Sequence, residues 1–365
     1  LDASALDFDL PQELIAEAPT ADRDGARLLV ARARRGAVAD AAVRDLPSLL
    51  PPRSLLVVND TRVIPARLQA RRATGGRIEV LLVERADGDL SSSSGPSSGV
   101  PERWRALVRG LGGLRAGETL SVDDASGPAL DVTLVSRADD GLADLDVRAR
   151  DGGTVRGALE RVGTLPLPPY IRRAPDERDR ERYQTIFAAR EGSVAAPTAG
   201  LHFSEALVHA LRAAGHELAR VTLHVGPGTF APLRAERLEA HSMHAERYEI
   251  PGPTALAVAR ARAEGRSVVA IGTTVTRTLE AAATADRTVR EGAGVTDLFL
   301  YPPYRFRVVD VLFTNFHLPR STLLALVMAF AGVEPTRDAY AHAVRERYRF
   351  FSYGDASLWL PEEGG

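Results

Sequence analysis

"RSVVAIGTTVTRTLEAAA", Arg266–Ala283, sets an apolar run, Val268 to Ile271, against a Gly-Thr-Thr corner and then a helical pattern. An apolar run closed by glycine and followed by helical spacing reads as strand, turn and helix. The plan recurs. "VVDVLFTNFHLPRS" from Val308 leads into "TLLALVMAFAG". "SEALVHALRAAG" starts on a capping Ser204, places Leu207, Val208 and Leu211 on one helical face, and stops at Gly215. "ELARVTLHVG" then alternates, with Val221, Leu223 and Val225 on one side. Strands alternating with helices imply an α/β domain on a mixed, largely parallel sheet.

Between about Val63 and Arg150 the pattern changes. "RIEVLLVER", "RWRALVRG", "ETLSV", "ALDVTLVS" and "LADLDVRA" are short, β-prone and separated by Gly, Asp and Ser, and Leu130, Val132 and Leu134 fall on one face. This spacing predicts a small antiparallel β-barrel domain, 63–150, inserted into an α/β catalytic domain made of 1–62 and 151–365. The Ser-rich stretch Ser91–Gly99 reads as an exposed, flexible loop.

Composition narrows the class. With 365 residues, 45% hydrophobic and 26% charged, the chain is long enough for two globular domains. There is no cysteine, which removes disulfides and thiolate metal sites and agrees with a cytoplasmic location. No lysine occurs either, so a Schiff-base lysine is excluded. The first residues lack a signal-peptide pattern, and the apolar stretch from Leu323 is too short to span a bilayer. A net charge of −2 argues against pure backbone binding of nucleic acid, although "RARR" (Arg32–Arg35), Arg67–Arg77 and "RRAPDERDRERY" (Arg172–Tyr183) are local basic clusters.

Position carries the functional signal. Five apolar runs pass directly into polar clusters: Asn59-Asp60-Thr61-Arg62, Pro197-Thr198-Ala199-Gly200-Leu201-His202, His224 with Gly226-Pro227-Gly228-Thr229, Gly272-Thr273-Thr274, and Thr314-Asn315-Phe316-His317. Parallel strands end along one edge, where such sheets bind ligands, so five clusters there make one pocket. Gly272-Thr273-Thr274 offers either an anion site or an ordinary helix cap. Gly226 and Gly228 permit a tight turn, with or without a ligand. His224 is either a structural imidazole or an acid–base group, whereas His209, His216 and His342 are expected at the surface. "HSMHAE" (His241, His244, Glu246) has part of a zinc-ligand pattern but no second ligand set, so no metal is expected. The aromatics of "YPPYRFR" and "RYRFFSYGDASLW" suit either RNA stacking or a core, and spacing favours the core.

Taken together, "LLVVNDTRVIPARL", "RYQTIFAAREGSVAAPTAGLHF", "VTLHVGPGTFAPLR", "HSMHAE", "VVAIGTTVTRTLEAA", "YPPYRFRVVDVLFTNFHLPRSTLLALVMAFAG" and "YRFFSYGDASLW" closely resemble the S-adenosylmethionine:tRNA ribosyltransferase-isomerases of queuosine biosynthesis, the QueA family. The resemblance is collinear from "LPQELIAEAP" to "YGDAS". It implies a transferase that moves the ribosyl part of S-adenosylmethionine onto preQ1, a 7-aminomethyl-7-deazaguanine, at the tRNA wobble position. Isomerisation gives epoxyqueuosine, with adenine and methionine released. It also implies an inserted barrel, S-adenosylmethionine as co-substrate and no prosthetic group. Departures from the family pattern are Val275 for a serine with Thr276 beside it, Pro303 for a glycine, and Arg307 and Arg320 for lysines.

For that reaction a base must take a C5′ proton acidified by the sulfonium, and an acid must assist adenine departure; imidazoles titrate near neutrality and serve both. His202 and His224 are the leading candidates, His317 a third, and Asp60 the group orienting one of them. Asn59, Thr61, Arg62, Thr198, Gly200, Gly226, Gly228, Thr229, Gly272, Thr273, Thr274, Arg277 and Asn315 are the expected substrate contacts, for the ribose hydroxyls and the methionine carboxylate. Arg172, Arg173, Arg178, Arg180 and Arg182 are the expected tRNA contacts. A S-adenosylmethionine-dependent RNA methyltransferase and a non-catalytic RNA-binding module are the competing readings. The first lacks a strand-linked G-x-G-x-x-G loop, and the second leaves the histidine loops unexplained.

Overall fold

The chain first forms β1 (Arg27–Arg32), β2 (Val38–Ala42), α1 (Leu46–Leu49), β3 (Leu55–Asn59) and β4 (Thr61–Val63). Six strands follow: β5 (Arg67–Arg71), β6 (Arg77–Arg85), β7 (Glu102–Val108), β8 (Thr119–Asp124), β9 (Gly127–Arg137) and β10 (Ala143–Ala149). Then come α2 (Val155–Val162), α3 (Glu177–Arg182), β11 (Arg190–Ser193), α4 (Glu205–Ala213), β12 (Glu217–Leu223) and β13 (Glu246–Ile250). The chain closes with α5 (Gly252–Ala263), β14 (Val268–Ile271), α6 (Thr273–Ala281), β15 (Gly292–Thr296), β16 (Val311–Asn315), α7 (Thr322–Ala331), α8 (Val333–Arg345) and β17 (Ala356–Leu360). This computed structural model describes residues 1–365 apart from 34–37, 87–98, 126, 139–140, 227–232, 234 and 362–365. Arg34, Arg35 and most of the Ser-rich stretch therefore lie outside the described residues.

The large sheet has the order β15-β13-β12-β3-β14-β16-β17-β1-β2. Its centre, β12-β3-β14-β16, is parallel, and it turns antiparallel at β12/β13 and β16/β17. Central parallel strands are covered on both faces, and β3, β14 and β16 are accordingly buried without a break. Leu55 and Val57 join the core under α5, α6, α7 and α8, while Leu56 and Val58 join the core under α1 and α4. The cap on α4 forms as its sequence requires, with Ser204 Oγ accepting from Leu207 N at 3.0 Å.

Strands β5 to β10 close into an antiparallel barrel in the order β10-β7-β6-β5-β8-β9. Alternate residues fill it, among them Leu68, Val80, Trp104, Leu130, Val132 and Leu134. Here the basic segment Arg67–Arg77 is a hairpin: Leu68 and Ala70 point inward and Arg72 pairs with Glu118 at 2.7 Å. Its charges decorate a strand whose alternate apolar positions are what fold it.

Two expectations need correction. "SVAA" does not end a strand of the large sheet; β11 stops at Ser193 and pairs with β4 in a separate two-stranded sheet. Ser193 Oγ accepts from Val225 N at 2.9 Å, which anchors the segment where the strand stops. His216 is buried, its Nδ1 accepting from Ser54 N at 3.2 Å and its Nε2 meeting Pro47 O at 3.1 Å. The carboxy-terminal aromatics are core: Tyr348, Phe350 and Trp359 are fully buried. No helix among the described residues is long and apolar enough to cross a membrane.

The two chain segments joining barrel and sheet pair with each other, Arg67 N to Thr164 O at 3.1 Å and Thr164 N to Arg67 O at 2.9 Å. Gly163 makes the crossing, because a Cβ there would lie 1.9 Å from Pro65 O and 2.6 Å from Leu159 O. Both obstacles are backbone, so the clash has no flexible side chain to absorb it. Gly163→Ala is expected to cost at least about 2 kcal/mol, read as a lower urea midpoint. An unchanged midpoint would contradict this account of the junction.

Candidate functional site

Parallel pairing brings the carboxyl ends of β3, β12, β14 and β16 to one edge of the sheet. The side chains there form two adjoining knots. Asn59 builds the first. Its Oδ1 accepts from Leu223 N and Thr61 N, both at 3.1 Å, while Nδ2 donates to Leu223 O at 3.0 Å and Thr274 Oγ1 at 3.4 Å. The amide continues the strand ladder past the end of β3 and ties it to β12 and α6. Thr61 Oγ1 lies 2.9 Å from His224 Nδ1.

Asp60 is buried and accepts from Thr222 Oγ1 at 2.6 Å. Burial raises its pKa, while Thr222, Arg190 and Arg220 oppose the rise. The expected role of Asp60 in orienting a histidine is thus not what the structure shows: Thr61 meets His224, and Asn315 meets His202. Peptide geometry explains the difference, because adjacent extended residues point to opposite sides.

His224 faces a cavity of about 60 Å³ lined by Glu84 and Arg85 of the barrel and by Gly192, Gly226, Glu246 and Arg247 of the sheet domain. Both domains therefore contribute to this wall. Burial holds the His224 pKa below the ordinary imidazole value; Glu84 and Glu249 oppose the shift and Arg190 adds to it.

The second knot surrounds the 3-10 turn Thr198–His202. His202 Nε2 lies 3.1 Å from Asn315 Nδ2, and the imidazole packs edge-on to Phe313. His317 Nε2 lies 3.0 Å from Thr314 Oγ1, and its backbone N–H donates to Tyr340 OH at 3.1 Å. Burial pushes His202 down to about 4, with Arg349 adding to the shift, and pushes His317 down to about 3. Gly272 joins the knots: it sits at φ 98°, and a Cβ on it would come 3.2 Å from Ala199 Cβ. It is also the N-cap of α6 without a side-chain cap, so neither Thr273 nor Thr274 closes the helix start. Both threonines are buried at this corner.

Other expected contacts separate from the rim. Arg277 is buried, ion-paired with Glu246, and donates from Nε to Leu298 O at 3.2 Å. Glu246 in turn accepts from Gly226 N at 3.1 Å, so the pair braces the turn after β12. Gly200 is a packing glycine, its Cβ position 2.9 Å from Thr185 Cγ2. Thr198 is half-buried and Arg62 is exposed. Gly228 and Thr229 lie outside the described residues. In the basic segment, Arg173 pairs bidentately with Asp179 at 2.6 and 2.8 Å, and Arg182 donates to Thr20 O and Ala21 O at 2.8 Å. Those two arginines hold the fold together; Arg172, Arg178 and Arg180 are exposed.

The serine-to-valine departure also has a location. Val275 is fully buried in the core under the sheet, and Thr276 Oγ1 donates to Gly272 O at 3.0 Å. Neither faces the rim cavity. His241 packs on Phe299, and among the described residues no set of three His, Cys, Asp or Glu is placed to hold a metal ion. Thr222, two residues before His224, was recoverable from strand alternation. Glu84 was not, because nothing in the chain order links a barrel strand to this edge.

Two buried neutral imidazoles predict a pH dependence. Their folded pKa values lie below the unfolded value of about 6.5, so their contribution is complete above that pH. It is lost as pH falls from about 6.5 towards 4 for His202 and 3 for His317. Between pH 7 and pH 5 each should cost about 2 kcal/mol of unfolding free energy. A His317→Gln variant should lose about 2 kcal/mol less than the parent across that interval in urea titrations. Equal losses would remove His317 as a source.

A family model described as "Queuosine biosynthesis protein" matches residues 3–359. The S-adenosylmethionine:tRNA ribosyltransferase-isomerase of Sorangium cellulosum is 52% identical, with 97% of each chain covered. The protein of that name from Anaeromyxobacter sp. is 51% identical over 97% of this chain and 98% of its own. A crystal structure of S-adenosylmethionine tRNA ribosyltransferase from Thermotoga maritima matches with a TM-score of 0.54 and 35% identity, covering 98% of this chain and 100% of the other.

Proposed function

The chain belongs to the family of queuosine biosynthesis proteins, and from that premise we propose that it is an S-adenosylmethionine:tRNA ribosyltransferase-isomerase. S-adenosylmethionine is the co-substrate. The acceptor is preQ1 at the wobble position of a tRNA, and the products are epoxyqueuosine-tRNA, adenine and methionine. The reaction takes place in the cytoplasm. In this reading 63–150 is the inserted domain and 1–62 with 151–365 the catalytic one.

One observation carries the chemistry: separate strand ends converge on a rim, and His224 there faces a cavity to which barrel and sheet both contribute. His224 is half-buried, hydrogen-bonded at Nδ1 by Thr61, and flanked by charges of both signs. It is the acid–base group of this reading, taking the C5′ proton that the sulfonium acidifies. The C5′ electron pair then expels O4′, and the opened sugar forms an aldehyde at C1′ as adenine leaves, protonated as it departs. The amine adds at C4′ and loses a proton, the regenerated C5′ ylide closes on C1′, and the resulting alkoxide forms the epoxide by displacing methionine, which takes the C–S electron pair. The uncapped start of α6 at Gly272, with the buried Thr273 and Thr274, suits a carboxylate such as that of the methionine moiety.

Product analysis tests the reading. Incubation with S-adenosylmethionine and preQ1-tRNA should release adenine and methionine in equal amounts, with the ribosyl carbons found on the tRNA by mass spectrometry. S-adenosylhomocysteine with methylated RNA would replace this function by methyl transfer. No product at all, from a protein that binds tRNA, would leave only a binding module.

The tRNA side has its own test. Replacing the exposed Arg172, Arg178 and Arg180 with glutamine should lower the slope of log affinity against log salt by about 2–3 if each meets a phosphate. An unchanged slope would place the tRNA on another face.

A further inference from the structure

The carboxy-terminal turn "RFFSYGDAS" (Arg349–Ser357) lies directly against the second knot and has no part in the chemistry above. Gly354 shapes it. A Cβ there would lie 2.4 Å from Arg349 O and 2.6 Å from Phe350 C and O. Gly354 N donates to Phe351 O at 2.9 Å, and Phe351 sits at φ 73°, a left-handed conformation unusual for an aromatic residue. Phe351 N donates to Phe316 O at 3.1 Å, which fixes the turn to the end of β16.

That turn delivers one carbonyl to the site. Phe351 O accepts from Asn315 Nδ2 at 3.0 Å. A carbonyl cannot donate, so the Asn315 amide must present nitrogen to it; the flipped amide would set oxygen against oxygen. The same Nδ2 lies 3.1 Å from His202 Nε2. Nε2 must then be the accepting nitrogen, and the ring proton belongs on Nδ1. Protonating Nε2 would break this contact.

We propose that Asn315, oriented by the Phe351–Gly354 turn, locks His202 as the neutral Nδ1–H tautomer, so that His202 positions the Thr198–His202 turn and takes no proton from the substrate. Its surroundings agree. His202 is 4% exposed, and the groups that face it are the Arg349 cation, the backbone of Arg23 and the edge of Phe313. The cation opposes a second positive charge. This assignment rests on the proposed reaction only for its activity readout, since the tautomer is a property of the protein alone.

Two measurements test it. Long-range proton–nitrogen NMR on the full chain labelled with nitrogen-15 histidine should show His202 as the Nδ1–H form with no titration between pH 5.5 and 8.5. In an Asn315→Asp variant, whose carboxylate accepts only, the proton should move to Nε2. Titration of His202 inside that interval, or an Nε2–H form in the parent, would overturn the proposal. The second measurement compares His202→Gln with His202→Ala in adenine release. Glutamine has both an acceptor and a donor but cannot act as a base near neutrality, so it should restore at least tenfold of the kcat lost in the alanine variant. The pH profile of kcat should keep the parent's shape. Glutamine no better than alanine, in a folded protein, would make His202 a proton carrier. Should neither variant yield folded protein, the NMR result decides. If the parent releases no adenine, the proposed function fails while the tautomer measurement still stands.

Discussion

Asn59 ties β3 to its neighbours at the point where the backbone ladder runs out. Its carbonyl takes two backbone N–H groups and its amide nitrogen supplies a backbone carbonyl and a threonine hydroxyl. A buried peptide end is costly unless every donor and acceptor is met, and one side chain meets several of them here. Because the clamp spans β3, β12 and α6, it places Thr61 beside His224 and Thr274 beside the helix start. The first knot follows from this.

Glycines govern the second set of approaches. Gly272 lets α6 begin against Ala199, Gly163 lets the two barrel connections cross, and Gly354 lets the carboxy-terminal turn reach Asn315. At Gly272 and Gly163 a side chain would meet another segment, and at Gly354 the backbone of its own turn, at or below contact distance. Flexibility is not the common feature; Gly163 and Gly354 have ordinary negative φ or none in the left-handed range. Close approach is.

Charge is handled in different ways around the rim. Arg277 and Glu246 are buried together and brace a turn, where either alone would be an unpaired charge in a dry setting. His202 and His317 are buried and held neutral. His224, by contrast, sits where Glu84 and Glu249 oppose part of the effect of burial, which still holds its pKa below the ordinary imidazole value. Three histidines on neighbouring loops thus have three different surroundings, set by what packs over them.

Much was legible in the chain. Apolar runs ending in Asn59, Gly272 and Asn315, the Ser204 cap and the alternation of Leu130, Val132 and Leu134 each follow from local periodicity. So did the convergence of the strand ends, because parallel strands share an edge. Tertiary structure alone decided which polar groups meet. Arg277 looked like a ligand contact until Glu246 was beside it, Asp60 like a histidine partner until Thr222 took it, and Arg173 like a tRNA contact until Asp179 did. The physical reason is range: periodicity reports a residue's neighbours within a turn or a strand. Thr222 lies 162 residues from Asp60 and Glu246 31 residues from Arg277, and even Asp179, 6 residues from Arg173, meets it only through the folded entry to α3.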